Sequence, residues 1–165
     1  MHRFDAHEQF EDWLAADGLD RSPDGITLIQ EYLPSRDASI TRAEFVGGRF
    51  AYAVRVDISG GGFELCPAEA CAVPDASGVA VPLFSIRDDI DARHPLIASY
   101  ERFLAEVGVE IAGIEFVETD DGRTVTYDVN TNTNYSPDVE QSVADPAARR
   151  VARFLGGLLP RTVAA

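Results

Sequence analysis

Glu115, Asp128 and Asn130 are the residues of this chain whose types and spacing point most directly to chemistry. They lie in EIAGIEFVETDDGRTVTYDVNTNTN, residues 110–134, where two β-rich runs flank Asp121-Gly122. Asp-Gly suits a two-residue type I′ turn, because both of its positions require positive φ. With that dipeptide as the loop, Asp120 faces Arg123, Glu115 lies opposite Asp128, and Gly113 lies opposite Asn130. Side chains alternate across a strand. The three oxygen-bearing groups therefore share one face, while Ala112, Ile114, Phe116, Val125, Tyr127 and Val129 form an apolar face on the other side. Carboxylates directly opposite each other repel, and a cation between them removes the repulsion. Two carboxylates with an amide oxygen suit a hard ion such as Mg²⁺, which keeps some waters and takes phosphate oxygens as further ligands. The same pattern also fits a solvated acidic face with no ion.

The elements that must position these residues follow from periodicity. Residues 39–57, SITRAEFVGGRFAYAVRVD, read as a second hairpin turning at Gly47-Gly48, with Val46 facing Arg49. One face then carries Thr41, Ala43, Phe45, Phe50, Tyr52, Val54 and Val56, and the other Arg42, Glu44 and Arg55 beside Ala51 and Ala53. As residues alone, Arg42, Glu44 and Arg55 are an ordinary surface ion cluster. Asp5, with Glu8 in the reciprocal position, predicts a capped helix carrying Ala6, Phe10, Trp13 and Leu14. Ile26–Leu33 reads as a buried strand ended by Pro34. Leu96, Ile97, Tyr100, Phe103, Leu104 and Val107 mark an amphipathic helix ending at Gly108. Between the two hairpins, residues 60–93 are loop-like, with a Gly60-Gly61-Gly62 run and prolines at 67, 74 and 82, the composition of a lid. Residues 130–140, NTNTNYSPDVE, are polar and turn-prone. Asp145 is placed to cap a closing helix with Pro146 first, Val151, Leu155 and Leu158 inward, and Pro160 beyond its end. The order of elements predicts an α+β fold, a mostly antiparallel sheet of hairpins with helices packed on one face.

Composition narrows the partners. The 165 residues suit a single domain, and a hydrophobic content of 45% with 25% charged residues is that of a globular protein. A net charge of −14 argues against nucleic acid, since the only basic grouping is Arg149, Arg150 and Arg153. No apolar run reaches membrane-spanning length and the start lacks a signal-peptide core, so a cytoplasmic location without membrane contact is expected. Cys66 and Cys71 form a C-x4-C pair without two further ligands, and read as reduced thiols. His2, His7 and His94 suggest neither a metal site nor a triad. All 14 basic residues are arginine.

Taken in order, LIQEYLPS, ITRAEFVGGRFAYAVRVD, FELCPAEAC, a helix, IAGIEFV and TVTYDVNTNTNY resemble the C-terminal half of the ATP-grasp domain of carboxylate-amine ligases, particularly the RimK-type glutamate ligases. The resemblance runs over roughly residues 1–140, and its most specific piece is Glu115 followed by Asp128-Val129-Asn130. It implies ATP and Mg²⁺ as cofactors and small-molecule carboxylate and amine substrates, joined as an amide through an acyl-phosphate. It further implies that Gln30, Glu31, Tyr32 and Leu33 are the hinge strand holding adenine, Glu31 and Leu33 through main-chain groups. Arg42 and Arg55 would meet phosphate or the acyl-phosphate, and Asn132 and Asn134 would lie near substrate. The family's upstream lobe supplies a lysine and a glycine-rich loop over the phosphates, and this sequence contains no lysine. The expectation is a partial ATP-grasp domain over residues 1–165, with HRFD at 2–5 where a chain leaves that loop. Such a domain would be completed by an upstream segment or partner chain, or by a homo-oligomer. The alternative is a non-catalytic or vestigial nucleotide- and metal-binding module.

Overall fold

The computed structural model describes residues 2–16, 18–19, 23–59 and 83–159. Its elements in chain order are α1 (His7–Ala15), β1 (Ser39–Val46), β2 (Arg49–Asp57), β3 (Phe84–Ile86), α2 (Pro95–Val107), β4 (Ile111–Glu118), β5 (Thr124–Asn130), α3 (Pro137–Ser142) and α4 (Ala147–Leu158). The strands form one antiparallel sheet in the order β3-β2-β1-β4-β5, so the architecture is α+β, as the sequence predicts.

The β1–β2 turn is the expected one: Gly47 and Gly48 have φ of 63° and 67°, and Val46 pairs with Arg49. Two residues further on the register slips. Phe45 pairs with Phe50 but Glu44 pairs with Tyr52, leaving Ala51 as a β-bulge. The bulge exchanges the faces of everything after it. Tyr52, Val54 and Val56 lie on the face of Arg42 and Glu44, and Ala53 and Arg55 on the face of Ala43, which corrects the bulge-free reading.

The β4–β5 hairpin departs in a related way. Glu118 pairs with Thr124, and the Thr119 N–H donates to the Arg123 carbonyl, so the loop holds Asp120, Asp121 and Gly122. Only Gly122, at φ 82°, takes a positive value there, as expected when a type I turn is followed by one left-handed residue. The two-residue type I′ turn is therefore replaced by a three-residue loop. A bulge at Tyr127 absorbs the extra residue, so Glu115 still pairs with Asp128 and Gly113 with Asn130. Val125 and Tyr127 move to the face of Glu115, packing with Ile40, Val56 and Val117.

Ala43, Phe45, Ala53, Ala112, Ile114 and Phe116 form the apolar face, covered by Ile97, Tyr100 and Leu104 of α2 and by Ile90. His94 caps α2 by accepting from the Leu96 N–H, Pro95 opens it, and Gly108 closes it in the left-handed region. The expectation of helices over one face holds for α2. The helices α3 and α4 lie instead against Val46, Tyr52 and Val54 on the opposite face, through Val139, Ala147, Val151 and Phe154.

Several local expectations change. Ile26–Leu33 is not a strand, and Ile26, Leu28 and Ile29 are 63, 79 and 76% exposed. The chain reaches the sheet at β4, which is already paired on both sides by β1 and β5. Only the isolated Ser35–Thr119 bridge beyond the end of β4 is left to this segment. At α1 the cap is Ala6 and the Asp5 carboxylate pairs with Arg3, while Gln9 accepts from the Asp5 N–H. The residues read as a loop before α2 contain β3, and the polar stretch after β5 contains α3. At α4 the helix N-terminus is held by Glu140, which accepts from Ala147 and Ala148, while Asp145 pairs with Arg150 and Arg153. Leu155 and Leu158 are exposed, so Val151 and Phe154 are the inward residues. The Gly60-Gly61-Gly62 run, Cys66, Cys71, the three prolines of the proposed lid and Pro160 lie outside the described residues.

Candidate functional site

β1 is the central strand, and its even-numbered residues set the site. Arg42 pairs across to Glu115 of β4, and Glu115 to Asp128 of β5. One step along, Glu44 pairs with Gly113, and Gly113 with Asn130. Three strands thus bring Arg42, Glu44, Glu115, Asp128 and Asn130 to one face. A Cβ on Gly113 would stand 3.0 Å from Arg42 Cδ and Thr133 Oγ1 and 3.3 Å from Glu44 Oε2, so glycine makes room for the crossing side chains.

The face is graded in burial. Glu44 and Glu115 are 2 and 4% exposed, Asn130 is half-buried and Asp128 is open to solvent. Arg42 is shared between the two buried acids, with Nε 3.3 Å from Glu44 Oε1 and Nη1 3.8 Å from Glu115 Oε1. The Thr133 hydroxyl also reaches Glu44, at 3.1 and 3.0 Å from its two oxygens. Burial pushes the Glu44 carboxyl up to about 7, against the opposing pull of Arg42 and the Thr133 hydrogen bond. Burial also raises Glu115, with Asp128 adding to the effect, while the Tyr127 hydrogen bond and Arg42 oppose it.

Four polar residues missed in the sequence complete this face. The Tyr127 hydroxyl donates to Glu115 Oε2 at 2.9 Å. The Tyr52 hydroxyl donates to Glu140 at 2.6 Å. Tyr135 has a buried hydroxyl without a hydrogen-bond partner, and burial beside Glu44 and Glu140 raises its pKa to about 12. Thr133 is the fourth. Tyr52, which follows the β2 bulge, and Tyr127, which forms the β5 bulge, read as core residues because strict alternation places them there. A polar tip on a residue otherwise assigned to a core is the signal that could have found them.

The remaining candidates fall elsewhere. Arg55 is on the opposite face, 3.1 Å from Asp37 Oδ2 and donating to the Asp37 carbonyl, so it does not join Arg42. Glu31 pairs with Arg123 at 3.0 Å, Tyr32 lies beneath the Arg3 guanidinium, Gln30 is exposed, and Leu33 packs against the Ile40 cluster. Asn132 donates its N–H to Asn130 Oδ1 at 2.8 Å, and both Asn132 and Asn134 are exposed, with Thr133 between them turned inward. A groove beside the free part of β2, lined by Ala51, Ser85, Asp91 and Asp138, lies at the far edge of the sheet from Asp128.

The donor set fits a partially hydrated cation. Among the described residues no three His, Cys, Asp or Glu side chains form a ready cation cage. Glu115 and Asp128 with the amide of Asn130 instead make a two-carboxylate, one-amide set, which suits an ion that completes its shell with water and phosphate.

No protein-family model matches the chain, and no curated protein matches it. Solved structures do. The ATP-grasp ligase PsnB, complexed with a phosphomimetic variant of its minimal precursor, Mg and ADP, superposes with a TM-score of 0.52 at 14% identity over 78% of this chain. The D-cycloserine synthetase DcsG matches with a TM-score of 0.48 at 20% identity over 78% of this chain and 41% of its own. The macrocyclase MdnB from Microcystis aeruginosa MRC matches with a TM-score of 0.47 at 14% identity over 93% of this chain and 46% of its own. The likeness to PsnB shows an ATP-grasp-like fold, and the chain spans 34% of the PsnB length. Among the described residues no helix is long and apolar enough to cross a membrane.

Proposed function

We propose that this chain is the nucleotide- and Mg²⁺-binding portion of an ATP-dependent carboxylate-amine ligase, the C-terminal half of a RimK-type ATP-grasp domain. The observation that carries the reading is the alignment of Arg42, Glu115 and Asp128 across three adjacent strands, with Asn130 one step along. Glu115, Asp128 and Asn130 would hold Mg²⁺, which supplies charge neutralisation at the phosphates of ATP. Arg42 is beside them to neutralise the phosphoryl group as a substrate carboxylate oxygen takes it and ADP leaves. An amine nitrogen then attacks the acyl carbon, and phosphate departs with the C–O bonding electrons. No side-chain nucleophile is needed. Residues 30–33 would hold adenine through main-chain groups left unpaired by the absence of a β-ladder there, and Asn132 and Asn134 would border the substrate.

On this reading Arg55 acts only if a substrate group reaches the opposite face, so its role is secondary to that of Arg42. The upstream lobe, with its lysine and glycine-rich loop, would come from a further segment or a partner chain. Calorimetry of the chain with Mg²⁺ and a non-hydrolysable ATP analogue tests the proposal. Binding that is lost in Asp128→Ala and in Glu115→Gln supports it. If the chain binds neither ligand and Asp128→Ala leaves stability unchanged or higher, it is a non-catalytic module that retains only the fold.

A further inference from the structure

Tyr127 is the extra residue of the β5 bulge, and an unbulged strand would turn it toward α2. The bulge sends it to the site face instead. There its ring packs in the cluster of Ile40, Val56 and Val117, and its hydroxyl donates to Glu115 Oε2 at 2.9 Å. The other oxygen of Glu115, Oε1, points toward Arg42, at 3.8 Å from Nη1. Glu115 is almost fully enclosed, so solvent cannot easily replace the tyrosine as a donor. One oxygen is committed, and the other is held only by a longer contact.

We propose that Tyr127 sets the cation selectivity of the Glu115, Asp128 and Asn130 site, by tying down one oxygen of Glu115 so that this carboxylate offers a cation a single oxygen. The inference rests on the metal-site reading above and adds to it a residue that touches no cation. Mg²⁺ takes six ligands in near-octahedral geometry at about 2.0–2.1 Å and keeps several waters, which one-oxygen carboxylate ligation satisfies. Ca²⁺ gains from longer, more numerous contacts and readily takes both oxygens of a carboxylate. With one lone pair of Oε2 taken by the tyrosine hydroxyl and its charge drawn toward that donor, the two-oxygen mode is disfavoured at Glu115. Tyr127 is thus a positioning residue, and its contribution is to the ratio of affinities and not only to their size.

The test is to measure dissociation constants for Mg²⁺ and for Ca²⁺, each by displacement of Mn²⁺ followed by electron paramagnetic resonance, on the full chain. Wild type is compared with Tyr127→Phe and with Val125→Ala, which trims the same cluster without touching the hydrogen bond. Phenylalanine keeps the ring in place, and circular dichroism confirms folding of both variants. The expected result is a change of about tenfold in the Mg²⁺ to Ca²⁺ affinity ratio, toward Ca²⁺, in Tyr127→Phe, the scale typical of outer-shell partners. Val125→Ala should leave the ratio at the wild-type value. An equal change in both affinities in Tyr127→Phe, or none, overturns the selectivity role while leaving the site itself standing. Failure of wild type to bind Mn²⁺, Mg²⁺ or Ca²⁺ overturns both.

Discussion

Replacing Glu44 with glutamine isolates the electrostatic cost of the buried face. Glu44 is 2% exposed, and among the described residues its only charged neighbour at ion-pair distance is Arg42, which is shared with Glu115. Burial moves its carboxyl from an ordinary 4.5 to about 7. At about 1.4 kcal/mol for each tenfold change in proton affinity, keeping Glu44 ionised in the folded protein costs roughly 3 kcal/mol relative to the unfolded chain. Because the folded state binds this proton more tightly than the unfolded state, the stabilising contribution is fully present below pH 4.5. It declines as pH rises from there and is gone above about 7.

Glutamine keeps the shape and an acceptor for Thr133 and cannot ionise. The expected outcome is that the unfolding free energy of Glu44→Gln minus that of wild type grows with pH, by roughly 3 kcal/mol in total between about pH 4.5 and 8. Urea titrations across that range measure it, and taking the difference at each pH cancels the many carboxylates common to both proteins. With a slope of about 2 kcal/mol/M, the relative midpoint should move by roughly 1.5 M. A gap that stays flat with pH would refute the reasoning. A gap that closes or reverses as pH rises would show the opposite physics, with Arg42 holding Glu44 ionised at a net gain.

Gly113→Ala should cost about 1–3 kcal/mol in chemical denaturation, because its Cβ would meet Arg42 and Thr133 at 3.0 Å on a face with no slack. At the β1–β2 turn, Gly48→Ala should cost about 1 kcal/mol from its left-handed backbone alone. Gly47→Ala should cost more, since its Cβ would also stand 3.1 Å from Phe154 Cδ2, and thermal unfolding of the two variants compares them directly. Glu140→Ala removes the acceptor of the Tyr52 hydroxyl and of two N–H groups at the start of α4, at about 2 kcal/mol or more. Hydrogen exchange should quicken at Ala147 and Ala148 while Leu104, on the buried face of α2, keeps its protection.

Local signals carried much of the fold. Gly47-Gly48 specified its hairpin because two left-handed positions admit little else, and the apolar spacing from Leu96 to Val107 specified α2 with its glycine stop. The placement of Glu115 opposite Asp128 and of Gly113 opposite Asn130 was legible because the pairing of β4 with β5 survives the loop error near the carboxylates. What failed was set by partners distant in sequence. Ile26–Leu33 has strand composition, but β4, beside which the chain next bridges the sheet, is already paired on both sides. Asp145 has the chemistry of a cap, yet Glu140 reaches the α4 N-terminus first because α3 packs against Tyr52 and brings it there. Arg55 was placed on the face of Arg42 by alternation and given a role by the resemblance, and the bulge at Ala51 turns it to the opposite face.

The two bulges bear on function more than their size suggests. Each adds a residue to a strand beside a buried carboxylate, and each thereby turns a tyrosine from the α2 face to the charged face: Tyr52 opposite Glu44, and Tyr127 against Glu115. A sheet face that buries two glutamates with one arginine between them is short of donors, since water is excluded and like charges add to the penalty. Hydroxyl groups relieve that shortage without adding charge. Tyr127 does so at Glu115 and Thr133 at Glu44, whereas the Tyr52 hydroxyl serves Glu140. Straightening either strand would return a phenol to an apolar core; in β5 it would take the hydroxyl donor from Glu115, and in β2 it would leave Glu140 with its backbone donors alone. The bulge at Tyr127 is also what keeps the carboxylates together: were the Glu118–Thr124 register carried on unbroken, Glu115 would face Tyr127 and Asp128 would be displaced from it.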